Sequence, residues 1–376
     1  MLRVFTLQNF QSFRETARVS LELNRNVPED GRSCRSELGT RLSKVIAVLG
    51  ANASGKTTLI KGLAFVDWFA KHSFHVKPSD LIPLEPHFSA TDEPSHFEVE
   101  FEYNGQDWRY RLVASKNRVL HESLYCRHGR SFSYIFVRDW DSKEHRYRVK
   151  QQHFGMAQKE AEKVRENASL ISTAAQYGVD LASELVSSNV LSNVDALGRQ
   201  FMDQDQILRA ADFYARNTSI RDQMASLLSQ WDLGLWDVRV EKHRVARENG
   251  ETEDIHIPIG IHRVGETEYP LLFLHQSSGT QGAFILLSRI LPVLDRGGLV
   301  LIDELEADLH PHMLIPILDL FFSSKTNPHN AQIIFTCHSL EILSLLHKAQ
   351  VVLVEKNQNC ESDAWRLDSV KGVRAD

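Results

Sequence analysis

The stretch "KVIAVLGANASGKTTLIKGLAF", Lys44 to Phe65, decides the fold. Its opening, "KVIAVLG", has the length and β-branching of a buried strand. The apolar spacing of "KTTLIKGLAFVDWFAKH" predicts a helix. Between them "GANASGKTT" (Gly50–Thr58) fits G-x-x-x-x-G-K-[ST], with the strand before it and the helix after it that this motif requires. Glycines let such a loop fold so that successive N–H groups point at phosphate oxygens, and the helix N-terminus adds the positive end of its dipole. Gly50, Asn52, Ala53, Ser54 and Gly55 are expected to present backbone amides. Lys56 is expected to neutralise the β- and γ-phosphates, and Thr57, followed by Thr58, to offer a hydroxyl to Mg²⁺. The motif alone leaves ATP and GTP both open.

A second stretch, "GGLVLIDELEADLHPH" (Gly297–His312), carries four apolar residues into Asp303-Glu304. A continuous apolar strand belongs in the middle of a parallel sheet. Carboxylates at its C-terminal end lie where open α/β sheets bind ligands. Asp303 is suited to Mg²⁺ as a hard oxygen ligand, and Glu304 to polarising the water that attacks a γ-phosphate. "QIIFTCHS" (Gln332–Ser339) is another short apolar strand. It delivers His338 to the same end, where an imidazole can hydrogen-bond the γ-phosphate or position water.

Working outward, residues 1–150 read as an N-terminal lobe holding the phosphate loop and an antiparallel sheet. "FEVEFEYNGQDWRYRL" has the alternation and central turn of a hairpin. Residues 151–230 are rich in helix formers and are expected as a helical insertion or arm. Its Lys159, Lys163 and Arg165 alternate with Glu160, Glu162 and Glu166, as on a solvated, ion-paired face. Residues 231–376 return to strands and then alternate helix with strand. The whole is α/β, with a mixed or antiparallel N-terminal lobe, a parallel-sheet core and a helical insertion.

Composition sets outer limits. The chain has 376 residues, 42% hydrophobic and 24% charged, enough for a large buried core. A net charge of −6 does not call for nucleic acid as a partner. Cys34, Cys126, Cys337 and Cys360 are far apart, which argues against disulfides or zinc, and no HExxH pair occurs among the 17 histidines. The "HPH" of His310 and His312 reads as a turn. The opening "MLRVFTLQNF" lacks a secretory leader, and no apolar run is long enough to span a bilayer. A cytoplasmic location is expected.

Phosphate loop, long insertion, "SSGTQ" (Ser277–Gln281), "LVLIDELEADLHP" and "FTCHS" follow one another in an order that resembles ABC-type ATPases, the class of the SMC and RecF proteins. The text is most similar to the OLD-like group of bacterial ATPases, abundant in anti-phage and abortive-infection systems. "RVLHESL" and "NASLISTAAQ" extend the similarity. The resemblance makes Ser277, Ser278, Gly279 and Gln281 part of the ABC signature. It makes Asp303 and Glu304 the Walker B pair, Glu306–His310 the D-loop region and His338 the switch histidine. "SSGTQ" departs from LSGGQ, and Cys337 stands where Thr is common. No Q-loop residue is placed, since Gln106 lies in the hairpin turn.

In this class the signature of one subunit closes over the γ-phosphate held by another. One copy of each motif per chain therefore implies a head-to-tail homodimer or higher even-numbered oligomer that ATP closes. Many OLD proteins carry a Toprim nuclease domain. "VVLVEK" resembles its opening strand, but too few residues follow Glu355 to hold one, so Glu355 reads as a strand-end carboxylate. The expected function is an ATPase controlling a separate effector, a nuclease or toxin, in phage defence. The alternative is a RecF- or SMC-like repair ATPase gripping DNA across dimerised heads.

Overall fold

The computed structural model describes the chain apart from residues 130, 201, 232–233, 247–251, 308, 310–312 and 371–376. A six-stranded sheet divides the molecule. Its order is Val190–Ser192, Leu299–Ile302, Gln332–Thr336, Val45–Leu49, Val351–Lys356, Ser362–Arg366. The first five strands are mutually parallel and the last runs antiparallel. The two carboxylate- and histidine-bearing strands and the phosphate-loop strand are thus direct neighbours, and all end at the same edge.

The apolar runs of these strands have a simple cause. Side chains alternate across a strand, and both faces of this sheet are covered. Ile46, Val48, Leu299, Leu301, Ile334 and Val352 enter one core, with the helix Lys56–His72 and a seven-stranded antiparallel sheet. Val45, Ala47, Leu49, Val300, Ile302, Ile333, Phe335 and Val351 enter a second core, with the helices Ser278–Arg296 and Leu314–Phe322. The antiparallel sheet runs 146–151, 131–141, 119–128, 106–114, 95–103, 2–8, 17–20, with the expected hairpin turning at Asn104-Gly105. A separate three-stranded sheet (237–246, 252–264, 267–272) precedes the signature stretch.

Residues 151–230 do not stand out as an arm. Helices Leu170–Gln176 and Asp180–Val186 bury Leu170, Ile171, Ala174 and Ala182 in the first core. Strand Val190–Ser192 is the edge of the six-stranded sheet. Helices Gln204–Arg216 and Thr218–Gln230 bury Ile207, Tyr214, Ile220, Met224 and Leu228 in the second core. Full burial of such a side chain stabilises by about 1.5–3 kcal/mol, so these faces favour packing over solvent. A buried polar network also crosses the expected boundary at residue 150. The Arg138 guanidinium, 0% exposed, donates to the carbonyls of Val164, Arg165 and Ala168 at 2.7–2.8 Å. Its partner Glu122 accepts from Ser169 and from the Leu170 amide.

The charged stretch is likewise more than a solvated face. Lys163 does pair with Glu160 at 3.5 Å, but Arg165 turns inward to the carbonyls of Phe74 and Val76, and Glu166 pairs with Arg118. The four cysteines are free thiols. Among the described residues no helix is long and apolar enough to cross a membrane.

Candidate nucleotide-binding site

The phosphate loop is held by close contacts that exclude side chains at two positions. A Cβ at Gly50 would lie 2.2 Å from the Val354 carbonyl oxygen, and one at Gly55 would lie 2.5 Å from Ser362 Oγ. Gly55 also has φ 114°, a left-handed conformation that non-glycine residues rarely adopt. Its strain-free turn starts the helix Lys56–His72 and leaves the first N–H groups of that helix facing outward. Asn52 and Ala53 are exposed on the crown of the loop, and Ser54 is buried. Ser362 Oγ donates to the Ser54 carbonyl at 2.6 Å and ties the loop to the last strand.

Lys56 is folded back over its own loop. Its Nζ donates to the carbonyls of Gly50 and Ala51, each at 2.9 Å. Burial pushes the ammonium's pKa down, and the charges of Asp303, Glu304 and Glu306 oppose that shift. A cation held among its own carbonyls and facing carboxylates is available to an anion that enters between them.

Thr57 and Asp303, 246 residues apart, are in contact. The Thr57 hydroxyl reaches Asp303 Oδ2 at 2.9 Å and Oδ1 at 3.1 Å. Asp303 is 2% exposed and also accepts from Thr336 Oγ1 at 2.7 Å. A half-buried hydroxyl and a buried carboxylate form a hard oxygen donor set, so Thr57 and Asp303 fit Mg²⁺. Among the described residues there is no cluster of three or more His, Cys, Asp or Glu that could hold a metal. The donor set instead fits an ion that keeps waters and phosphate oxygens as its other ligands.

Glu304 sits at a sharp turn with φ 52°. Its N–H donates to Thr336 Oγ1 at 2.6 Å. Its carboxylate lies 3.0 Å from Arg199 Nη1 through Oε2 and 3.6 Å from His338 Nε2 through Oε1. The His338 amide donates to Glu306. Next to it, burial and the nearby Glu306 push the Cys337 thiol up to about 12.

These groups share one crevice of about 680 Å³, lined by Gln11, Ser12, Asn52 to Thr58, Glu304, His338 and Lys356. That is a volume suited to a nucleotide. Ser12 Oγ and Ser54 Oγ are buried beside it with no hydrogen-bond partner among the described residues. Buried hydroxyls left unmatched are costly, and an acceptor-rich ligand would satisfy them.

The signature stretch lies elsewhere. Ser277 caps the helix Ser278–Arg296 by accepting from the Thr280 amide at 3.2 Å. Ser278 is exposed and Gly279 half-buried. Gln281 spends its amide on its own chain, donating to the carbonyls of Phe273, Leu274 and Gln276. None of these four residues lines the phosphate crevice. Of the D-loop region, Glu306 reaches the His338 amide, while Asp308 and His310 lie outside the described residues, as does His312.

Sequence reading missed Gln11, Ser12, Asn193, Arg199, Thr336 and Lys356. Asn193 clamps the backbone of Asp303, accepting from its N–H at 2.7 Å and donating to its carbonyl at 3.0 Å. Only Thr336 had a signal, as a hydroxyl inside "FTCHS".

A glycine loop and two strand-end carboxylates meeting at one edge of a parallel sheet define a P-loop nucleotide-binding domain of the ABC type. The family model described as "AAA domain, putative AbiEii toxin, Type IV TA system" matches residues 45–344, and the chain belongs to that family. Two solved structures are similar along nearly their whole length. "Crystal structure of the SmcHead bound to the C-winged helix domain of ScpA" is 11% identical with TM-score 0.52, covering 99% of each chain. "SMC head domain from Thermotoga maritima" is 14% identical with TM-score 0.47, covering 97% of this chain and 98% of that one. The likeness is one of fold. No curated protein matches the chain.

Proposed function

We propose that the chain binds and hydrolyses Mg²⁺·ATP and closes head to tail with a second copy, and that closure controls a separate effector. The observation that carries this reading is the Thr57–Asp303 contact, with Lys56, Glu304 and His338 opening on the same crevice. In the proposed cycle Lys56 exchanges the Gly50 and Ala51 carbonyls for phosphate oxygens. Thr57 and Asp303 hold Mg²⁺, which supplies charge neutralisation at the phosphates. Glu304 orients the attacking water and takes its proton, and His338 hydrogen-bonds the γ-phosphate edge. Ser278, exposed, and Gly279, half-buried, line no part of their own crevice and serve a partner's nucleotide through the N-terminus of their helix. GTP is the competing substrate, and a nucleotide competition assay separates the two.

Steady-state hydrolysis by wild type and Glu304→Gln, with light scattering in ATP, tests the reading. Glu304→Gln is expected to bind ATP, stop turning over and accumulate as a closed dimer. Full turnover by that variant sinks the catalytic assignment.

The defence role draws on the toxin–antitoxin wording of the family description and on the resemblance to OLD-like ATPases. It predicts a neighbouring gene whose product is toxic and is restrained or released according to the state of Lys56. A second reading, DNA held across the dimer, is favoured by the SMC-head fold. It predicts ATP-strengthened, salt-sensitive duplex binding, and a mobility-shift assay at low salt decides it.

A further inference from the structure

We infer that Arg199 is a positioning residue for the general base Glu304, an inference that rests on the hydrolytic reading above. Glu304 is placed where its carboxylate has two directions to go. On one side it lines the phosphate crevice. On the other it lines a small void bounded by Asn193, Gln200, Gln206, Gly282 and Arg289. The left-handed backbone at Glu304 and its Thr336 hydrogen bond fix where the side chain starts, not where it points. The 3.0 Å contact from Arg199 Nη1 to Oε2 supplies that missing constraint. With Oε2 held, Oε1 is the oxygen turned toward His338.

The guanidinium is itself well anchored. Arg199 pairs with Val194 across a short bridge, and the turn between them is closed by Asp195 and Gly198 in both directions. The Asn193 amide donates to the Leu301 carbonyl, and the Gln200 amide donates back to Asn193. Asn193 then clamps the Asp303 backbone through its side chain. Arg199 therefore sits on the turn after the edge strand Val190–Ser192, and Asn193 ties that turn to the neighbouring strand end that carries Glu304. Its charge is also mostly shielded, the side chain being 18% exposed. A planar fork fits this role better than a lysine, whose single ammonium holds a carboxylate with less directionality.

The test compares Arg199→Ala, Arg199→Lys and Glu304→Gln, with the double variant Arg199→Ala/Glu304→Gln, in single-turnover hydrolysis of Mg²⁺·ATP, nucleotide titration and thermal melting. Arg199→Ala is expected to lower the hydrolysis rate about 10- to 100-fold, the scale of a misplaced catalytic group, with ATP affinity and Tm retained. Arg199→Lys should recover part of that loss. In the Glu304→Gln background Arg199→Ala should add no further loss, because the group it positions is gone. Three results overturn the inference: a wild-type rate in Arg199→Ala, an equal extra loss in the Glu304→Gln background, or loss of ATP affinity and Tm that Arg199→Lys does not restore. A Glu304→Gln variant that turns over normally removes the hydrolytic reading itself, and this inference with it. A dead Glu304→Gln beside a normal Arg199→Ala removes only the inference.

Discussion

The chain builds two Ser/Gly loops on one plan and equips them differently. "GANASGKTT" and "SSGTQ" both lead into a long helix, the first without a side-chain cap and the second with its Thr280 amide capped by Ser277. Around the first loop, partners from four distant parts of the chain converge: Ser12, Asp303, His338 and Ser362. Around the second the contacts are local, from Ser277 to Thr280 and from Gln281 to the preceding turn. A helix N-terminus is a weak anion site by itself. On the proposed reading the contrast is that of a socket and a lid, with ATP affinity expected from one loop and closure from the other.

The largest expected effect breaks the contrast at the chemistry. Glu304→Gln should lower turnover about 10²- to 10⁴-fold while ATP still binds, read by phosphate release beside nucleotide titration. Next is affinity. Lys56→Ala removes a charged donor and should weaken ATP binding by about 1.5–3 kcal/mol, on calorimetry. Ser278→Arg sharpens the comparison, since it should leave ATP affinity at the wild-type value and abolish ATP-driven dimerisation in light scattering. If dimers still form, the second loop is an ordinary capped turn. The smallest effect is structural: Ser277→Ala removes the helix cap and should cost about 1 kcal/mol in denaturant unfolding.

What was legible in the sequence was what is local. Strand, loop and Lys56-Thr57 lie within a single stretch, and Asp303-Glu304 and His338 each end an apolar run, so pattern and chemistry coincide there. Arg199 and Asn193 carry no such mark. They follow the three-residue strand Val190–Ser192, too short to show a regular pattern, and Asn193 meets Leu301 only in space. The helices of the insertion or arm expected at 151–230 pack into both cores, and that packing was illegible for a related reason. Helical spacing identifies an apolar face, but not whether that face belongs to an arm or to the cores, which Tyr214 and Phe284 settle by a hydrogen bond of 2.9 Å.

The order of the six-stranded sheet has a consequence for how the protein is made. Val45–Leu49, the strand that feeds the phosphate loop, lies between Gln332–Thr336 and Val351–Lys356. Leu2 is bound through its backbone to the Gln332 side chain at 2.7 and 3.0 Å. During synthesis this apolar strand waits for both of its neighbours, about 290 and about 300 residues further on. Such long-range pairing is slow and leaves unpaired edges open to aggregation. The phosphate loop is translated well before the two strands that hold its own strand in place.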